Sequence, residues 1–162
     1  MTWLKQSLIF LVIAACCSFG TYLIKGEYDR SVPCEQDRMQ AQEVCLKTVL
    51  DEWGNDVVWV DARAEEEKEV RIHSAIEISE QNAEEDLSND RVMMTLFQAK
   101  GKGTRVVVFC QTDGCGSSAY VREKIISKSL HKPEFVYYLH GGWKAIAADG
   151  RLLSSNTSSS SH

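Results

Sequence analysis

The stretch Arg105-Val106-Val107-Val108-Phe109-Cys110-Gln111-Thr112-Asp113-Gly114-Cys115-Gly116-Ser117-Ser118 decides the fold. Arg105 to Phe109 is a continuous run of β-formers, the pattern of a strand buried on both faces. Small and polar residues follow, with glycines at 114 and 116, so the chain turns there. Ser117 then reads as the N-cap of a helix through Tyr120, Val121, Ile125 and Ile126.

A cysteine between a buried strand and a helix start has a particular chemistry. Loop amides that turn inward form an anion nest, and the helix dipole adds positive potential. Both favour thiolate over thiol, and the thiolate is the nucleophile. Gly114 and Gly116 let the backbone fold closely around the sulfur of Cys110. The competing reading makes Cys110 a small core residue that ends a strand. Spacing alone does not decide between the two.

Outward from this stretch the pattern repeats. Val57 to Val60 is a second short apolar run, closed by Asp61. Ala75 to Ile78 and Phe135 to Leu139 read as further strands. Between them, Arg38 to Trp53 and Asp90 to Lys100 carry apolar residues at helical spacing, the second ended by Gly101-Lys102-Gly103. Glu65-Glu66-Glu67 reads as a solvated helical turn, and Gly141-Gly142 as a turn into a short segment around Trp143 and Ile146. Strands alternating with helices predict an α/β domain, a central parallel sheet flanked by helices. In such sheets the site lies beyond the C-terminal strand ends, where Asp61 and Cys110 fall.

Composition narrows the function classes. The chain has 162 residues, 44% of them hydrophobic and 25% charged, which is globular rather than disordered or fibrous. A net charge of -5 without a basic patch argues against nucleic acid as partner. Six cysteines are too few for a disulfide-built scaffold of this length.

The N-terminal segment, residues 1–25, is of another kind. Between Lys5 and Lys25 there is no charge, and Ser7 to Ile24 is long enough for a single membrane span. Cleavage near Ala14-Ala15, or lipidation at Cys16, competes with that reading. The apolar run continues past Cys16, which favours an uncleaved single-pass anchor through residues 6–24. The short N-terminal tail is the easier end to leave in the cytoplasm, which puts the domain on the other side. Residues 26–36 then form a linker, 37–153 the domain, and 154–162 a low-complexity, disordered tail.

From about Arg38 to Leu153 the chain resembles the rhodanese-like domain family, whose members include sulfurtransferases. Val58-Trp59-Val60-Asp61-Ala62-Arg63 is similar to the family's first strand and its Asp-x-Arg motif. Ile72 to Ile78 sits where a GHIPGA-type segment and second strand are usual. Val106 to Cys110 matches the strand that delivers the catalytic cysteine, and Val136 to Trp143 the last strand with its Gly-Gly-Trp turn. The loop, with Cys110 followed five positions on by Cys115-Gly116-Ser117-Ser118, resembles that of membrane-anchored bacterial rhodanese-like proteins.

The resemblance implies a sulfurtransferase in which Cys110 accepts sulfane sulfur as a persulfide and passes it to a thiol or other nucleophile. Its partners are then a small sulfur donor and a thiol acceptor, and no cofactor is implied. Gln111, Thr112, Asp113, Gly114, Gly116 and Ser117 would form the anion-binding loop, and Asp61 and Arg63 would fix the fold beside it. Common members carry arginine where Cys115 stands, and frequently where Gln111 stands, which argues against thiosulfate as the donor. Cys115 is placed to attack a persulfide, or to resolve a sulfenic acid, on Cys110. The alternative reading is a non-catalytic binding or thiol redox-sensing module using the Cys110/Cys115 pair.

Other residues receive plainer readings. His73, His131 and His140 lack the mutual spacing of a metal site, so no metal is expected. His140 is the best-placed histidine for a Cys–His pair, but it reads as a loop surface residue. Cys34 and Cys45 form a disulfide if the domain lies outside the cytoplasm, and otherwise remain two unrelated thiols. A Cys-x5-Arg phosphatase loop is excluded, because Gly116 occupies the arginine position and Arg122 is off register.

Overall fold

The computed structural model describes Cys34 and residues 39–40, 42–112 and 116–154. The anchor of residues 6–24 and the tail beyond residue 154 lie outside the described residues. Among the described residues no helix is long and apolar enough to cross a membrane.

Five strands form one sheet: β1 (Glu43–Val44), β2 (Val57–Asp61), β3 (Ile76–Glu77), β4 (Arg105–Phe109) and β5 (Val136–Leu139). Their order is β1-β5-β4-β2-β3, and every pairing is parallel. The family-like α/β architecture with a central parallel sheet is therefore present. β4 is central because its valines are apolar on both faces; Val106, Val107, Val108 and Phe109 are all fully buried.

The two faces of the sheet carry separate cores. On one, Val60, Val106, Val108 and Val136 pack with Leu96, Val121 and Ile125. These helical residues come from α3 (Asp90–Lys102) and α4 (Gly116–Ser127), with the short α2 (Ala83–Asp86) beside them. On the other face, Trp59, Val107, Phe109 and Leu139 pack with Leu46, Val49, Ala145 and Ile146. They meet α1 (Leu46–Thr48), its π-helical continuation Val49–Trp53, and α5 (Gly142–Asp149); α6 (Arg151–Ser154) follows. Each buried valine or leucine contributes about 1.5–3 kcal/mol of burial free energy, so the alternation of β4 and β5 fixes the register firmly.

Local signals explain the boundaries. Asn89 caps α3 by accepting the Arg91 amide at 3.0 Å, and Gly103 ends it with φ +71°. The Gly54 amide donates to the Val49 carbonyl at 3.0 Å, five residues back, which widens the end of α1 into a π-turn.

Three expectations are corrected. The predicted helix 38–53 starts at Leu46, because Glu43 and Val44 pair with Tyr138 and Leu139 as an edge strand. Ser117 is not an N-cap: it lies inside α4, which begins at Gly116, and its hydroxyl donates to Glu80 at 2.6 Å. The last strand begins at Val136, since Pro133–Phe135 form a 3-10 turn. Of the two readings left for Cys34 and Cys45, the structure shows the disulfide, with Cα atoms 5.9 Å apart.

Candidate active site at the end of β4

Cys110 follows β4 directly and is 3% exposed. Its Sγ lies 3.3 Å from the Thr112 carbonyl oxygen and 3.6 Å from Ser118 Oγ, in the first turn of α4. The two contacts serve different protonation states. The thiol donates to Thr112; a thiolate is met by the Ser118 hydroxyl and by the positive end of the helix. Asp113, Gly114 and Cys115 lie outside the described residues.

The backbone of Cys110 is held from the other side. Gly141 and Gly142 both have positive φ, +76° and +52°, which reverses the chain after β5. The reversal brings the Trp143 amide to 2.7 Å from the Cys110 carbonyl. A Cβ on Gly142 would collide with that same carbonyl oxygen and approach the Thr112 nitrogen to 3.3 Å. Glycine is therefore required here for both its conformation and its size.

Asp61 and Arg63 are both 1% exposed. The Arg63 guanidinium grips the Asp61 carboxylate in a fork, with Nε–Oδ1 3.0 Å and an η nitrogen to Oδ2 at 2.7 Å. Its remaining donors reach the carbonyls of Glu67 at 3.1 Å and Val70 at 2.8 Å. The guanidinium plane lies 3.7 Å from the Trp143 ring centroid. Arg63 thus links the end of β2, the loop 64–70 and Trp143, and its donors are engaged by the fold rather than offered to a ligand.

Gln111 and Trp143 line a cleft of about 360 Å³ with Glu66, Glu67, Glu69 and Val70. The acidic turn Glu65–Glu67 is a 3-10 helix, and it forms one wall of this cleft. Gln111 Oε1 is buried there with no hydrogen-bond partner.

Arg122 stands away from the sulfur: its guanidinium donates to the carbonyls of Val136 at 2.8 Å and Pro133 at 3.2 Å. His140 stands in the turn directly after β5. It is half-buried, and its Nδ1 lies 2.9 Å from Glu43 Oε1. Sequence reasoning missed this pair because β1 carries no strand pattern. Ser118 falls inside the stretch that the sequence marks, but its contact with the sulfur is visible only in the structure.

The rhodanese-like domain model matches residues 46–149, more than half of the chain. The protein belongs to the rhodanese-like domain family. No curated protein matches the sequence. Among solved structures, the chain is similar to a Bacillus halodurans protein at 20% identity and a TM-score of 0.45, over 62% of this chain and 67% of that one. It is also similar to a Rhodopseudomonas palustris protein of unknown function, described as a possible tyrosine phosphatase. That match has 23% identity and a TM-score of 0.45, over 64% of this chain and 74% of the other. Cys110 lies within the matched region, and the Gly141-Gly142-Trp143 turn pins its carbonyl.

Proposed function

We propose that this rhodanese-like protein is a membrane-anchored sulfurtransferase that accepts sulfane sulfur on Cys110 and passes it to a thiol. The observation that carries the reading is the position of Cys110. Its sulfur sits directly beyond the central strand of a parallel sheet, 3.6 Å from a hydroxyl in the first turn of α4. A persulfide there carries the same negative charge one atom further out, toward solvent. Amides of the loop after Cys110 stabilise that charge. The acceptor thiolate attacks the outer sulfur, the persulfide bond breaks, and Cys110 is left as a thiolate, with Cys115 as the thiol that resolves Cys110 if it is oxidised to a sulfenic acid.

Thiosulfate is a poor donor on this reading. The cleft beside Cys110 is lined by three glutamates, and Arg63 is engaged by Asp61. A polysulfide or a persulfidated thiol of lower charge density fits the acidic wall better. The Cys34–Cys45 disulfide supports placing the domain in an oxidising compartment, beyond the membrane that residues 6–24 would anchor it to.

The test uses the full chain in detergent, with its thiols reduced and then exposed separately to thiosulfate and to polysulfide. Intact mass and peptide mapping should show one added sulfur on Cys110 from polysulfide, absent in Cys110→Ser. No adduct from either donor, with only a Cys110–Cys115 disulfide, would replace the proposal with a redox module.

A further inference from the structure

The Cys34–Cys45 disulfide closes a strap that carries the edge strand β1. The strap holds β5 and the turn after it. The Tyr138 amide donates to the Gln42 carbonyl at 3.0 Å, and the His140 amide donates to the Val44 carbonyl at 2.9 Å. Glu43 Oε1 meets His140 Nδ1 at 2.9 Å, and the Tyr138 hydroxyl donates to Gln40 Oε1 at 3.3 Å. Val44 and Leu46 are buried with Leu139, Ala145 and Ile146, so this end of the strap also backs α5.

Two features mark the strap as strained. Gln42 sits at φ +70°, a left-handed conformation that residues with a Cβ rarely adopt. Its Oε1 is buried and has no hydrogen-bond partner among the described residues, which costs free energy until water reaches it. Both costs are relieved if the strap swings out. β1 pairs with β5 through only two residues, too few to hold it alone. The disulfide offsets these costs by joining the chain on either side of them. Cys34 and Cys45 are each partly exposed, so a thiolate can reach the bond.

The path from the strap to Cys110 is short. His140 is followed by Gly141-Gly142, and the Trp143 amide then donates to the Cys110 carbonyl at 2.7 Å. One end of this turn is fixed by β1, and its other end grips Cys110, which is 3% exposed.

We propose that the Cys34–Cys45 disulfide is a redox latch on Cys110: a dithiol that reduces it frees the strap, loosens the turn 140–143 and opens access to the sulfur. The step is a thiol–disulfide exchange. A thiolate of the dithiol attacks one sulfur of the bond, and the other sulfur leaves as a thiolate and takes a proton. The second thiol of the dithiol then displaces the remaining cysteine from the mixed disulfide. Cys34 and Cys45 gain two electrons and two protons, and the dithiol departs as a disulfide. The latch acts on access to Cys110 and does not depend on what that sulfur carries.

The test uses the full chain in detergent, with Cys115→Ser so that Cys110 has no loop thiol to pair with. Protein with the Cys34–Cys45 bond intact is compared with protein reduced by dithiothreitol, which is removed without air before each measurement. Iodoacetamide modification of Cys110 is timed by peptide mass, and backbone amide exchange is followed in the same samples. Reduction should speed alkylation of Cys110 roughly tenfold and hasten exchange at Tyr138, His140 and Trp143, leaving Val107 and Val108 unchanged. Cys34→Ser combined with Cys45→Ser should behave as the reduced protein; if that variant does not fold, the oxidised and reduced forms decide. Gln42→Gly suits the left-handed backbone and removes the unpartnered oxygen, so it should return the reduced protein towards the latched rate. Equal alkylation and exchange in the two redox states overturns the latch. Faster exchange at Val107 and Val108 as well overturns it too, because the disulfide is then a staple of the whole fold.

Discussion

The backbone amide of Trp143 donates to the carbonyl of Cys110 across 2.7 Å, so the cysteine is fixed through its own main chain by a residue 33 positions later in the sequence. The Trp143 ring stacks at 26° on Phe109, the residue before Cys110, with centroids 6.2 Å apart. One residue therefore holds both the end of β4 and the start of the reactive loop.

Gly142→Ala should damage this clamp specifically. The added methyl meets the Cys110 carbonyl, in a backbone conformation with φ +52° that alanine resists. A cost of about 1–3 kcal/mol is expected from the strained backbone. Denaturant titration measures that loss, and alkylation of Cys110 by iodoacetamide should change rate as its carbonyl is displaced. An unchanged melting curve together with an unchanged alkylation rate would contradict the clamp.

Arg63→Ala leaves the Asp61 carboxylate buried without its partner and removes the platform under Trp143. Breaking one side of a buried ion pair costs about 3–5 kcal/mol. Arg63→Lys should recover only a fraction, because an ammonium cannot reproduce the fork or the stack on the ring. Thermal unfolding of the three proteins should rank wild type above lysine and lysine above alanine.

Ser118→Ala removes the hydroxyl that meets the Cys110 sulfur at 3.6 Å. One lost hydrogen bond of about 0.5–1.5 kcal/mol corresponds to a roughly two- to tenfold slower alkylation at neutral pH. The rate at high pH, where the thiol is ionised regardless, should match wild type. A uniform change at every pH would indicate altered access to the sulfur instead.

Acid should loosen the contact between α2 and α4. Hydrogen bonds from Lys124 and then Lys128 hold the Glu84 carboxyl at about 2, below its ordinary 4.5. A depressed carboxyl stabilises the fold above its unfolded value, and that contribution disappears as pH falls from 4.5 towards 2. The stability gap between wild type and Glu84→Gln should therefore be largest near neutrality and close over that window. The pair is exposed, so the gap is small and should shrink further in high salt. Denaturation midpoints at several pH values measure it.

The central part of this fold is legible from local pattern, because β4 is a run of apolar β-formers and α3 has both its cap and its terminating glycine. β1 is not legible: two residues cannot display a period, and Glu43 and Val44 become a strand only because β5 lies beside them. The Glu43–His140 contact is hidden for the same reason, since 97 positions separate its members. Ser117 departs from its expected N-cap position because a cap is defined by backbone angles, and serine near a helix start suits either role. In the site, Cys110 is marked by its neighbours in sequence, whereas Ser118, Gly142 and the Trp143 amide acquire their roles only through packing.

The sheet ends on both sides in strands of two residues, β1 and β3. A border that short offers an approaching chain almost no ladder of amides and carbonyls to extend. Docking by strand addition is thus closed to this domain at either edge, and so is edge-to-edge association of its own copies.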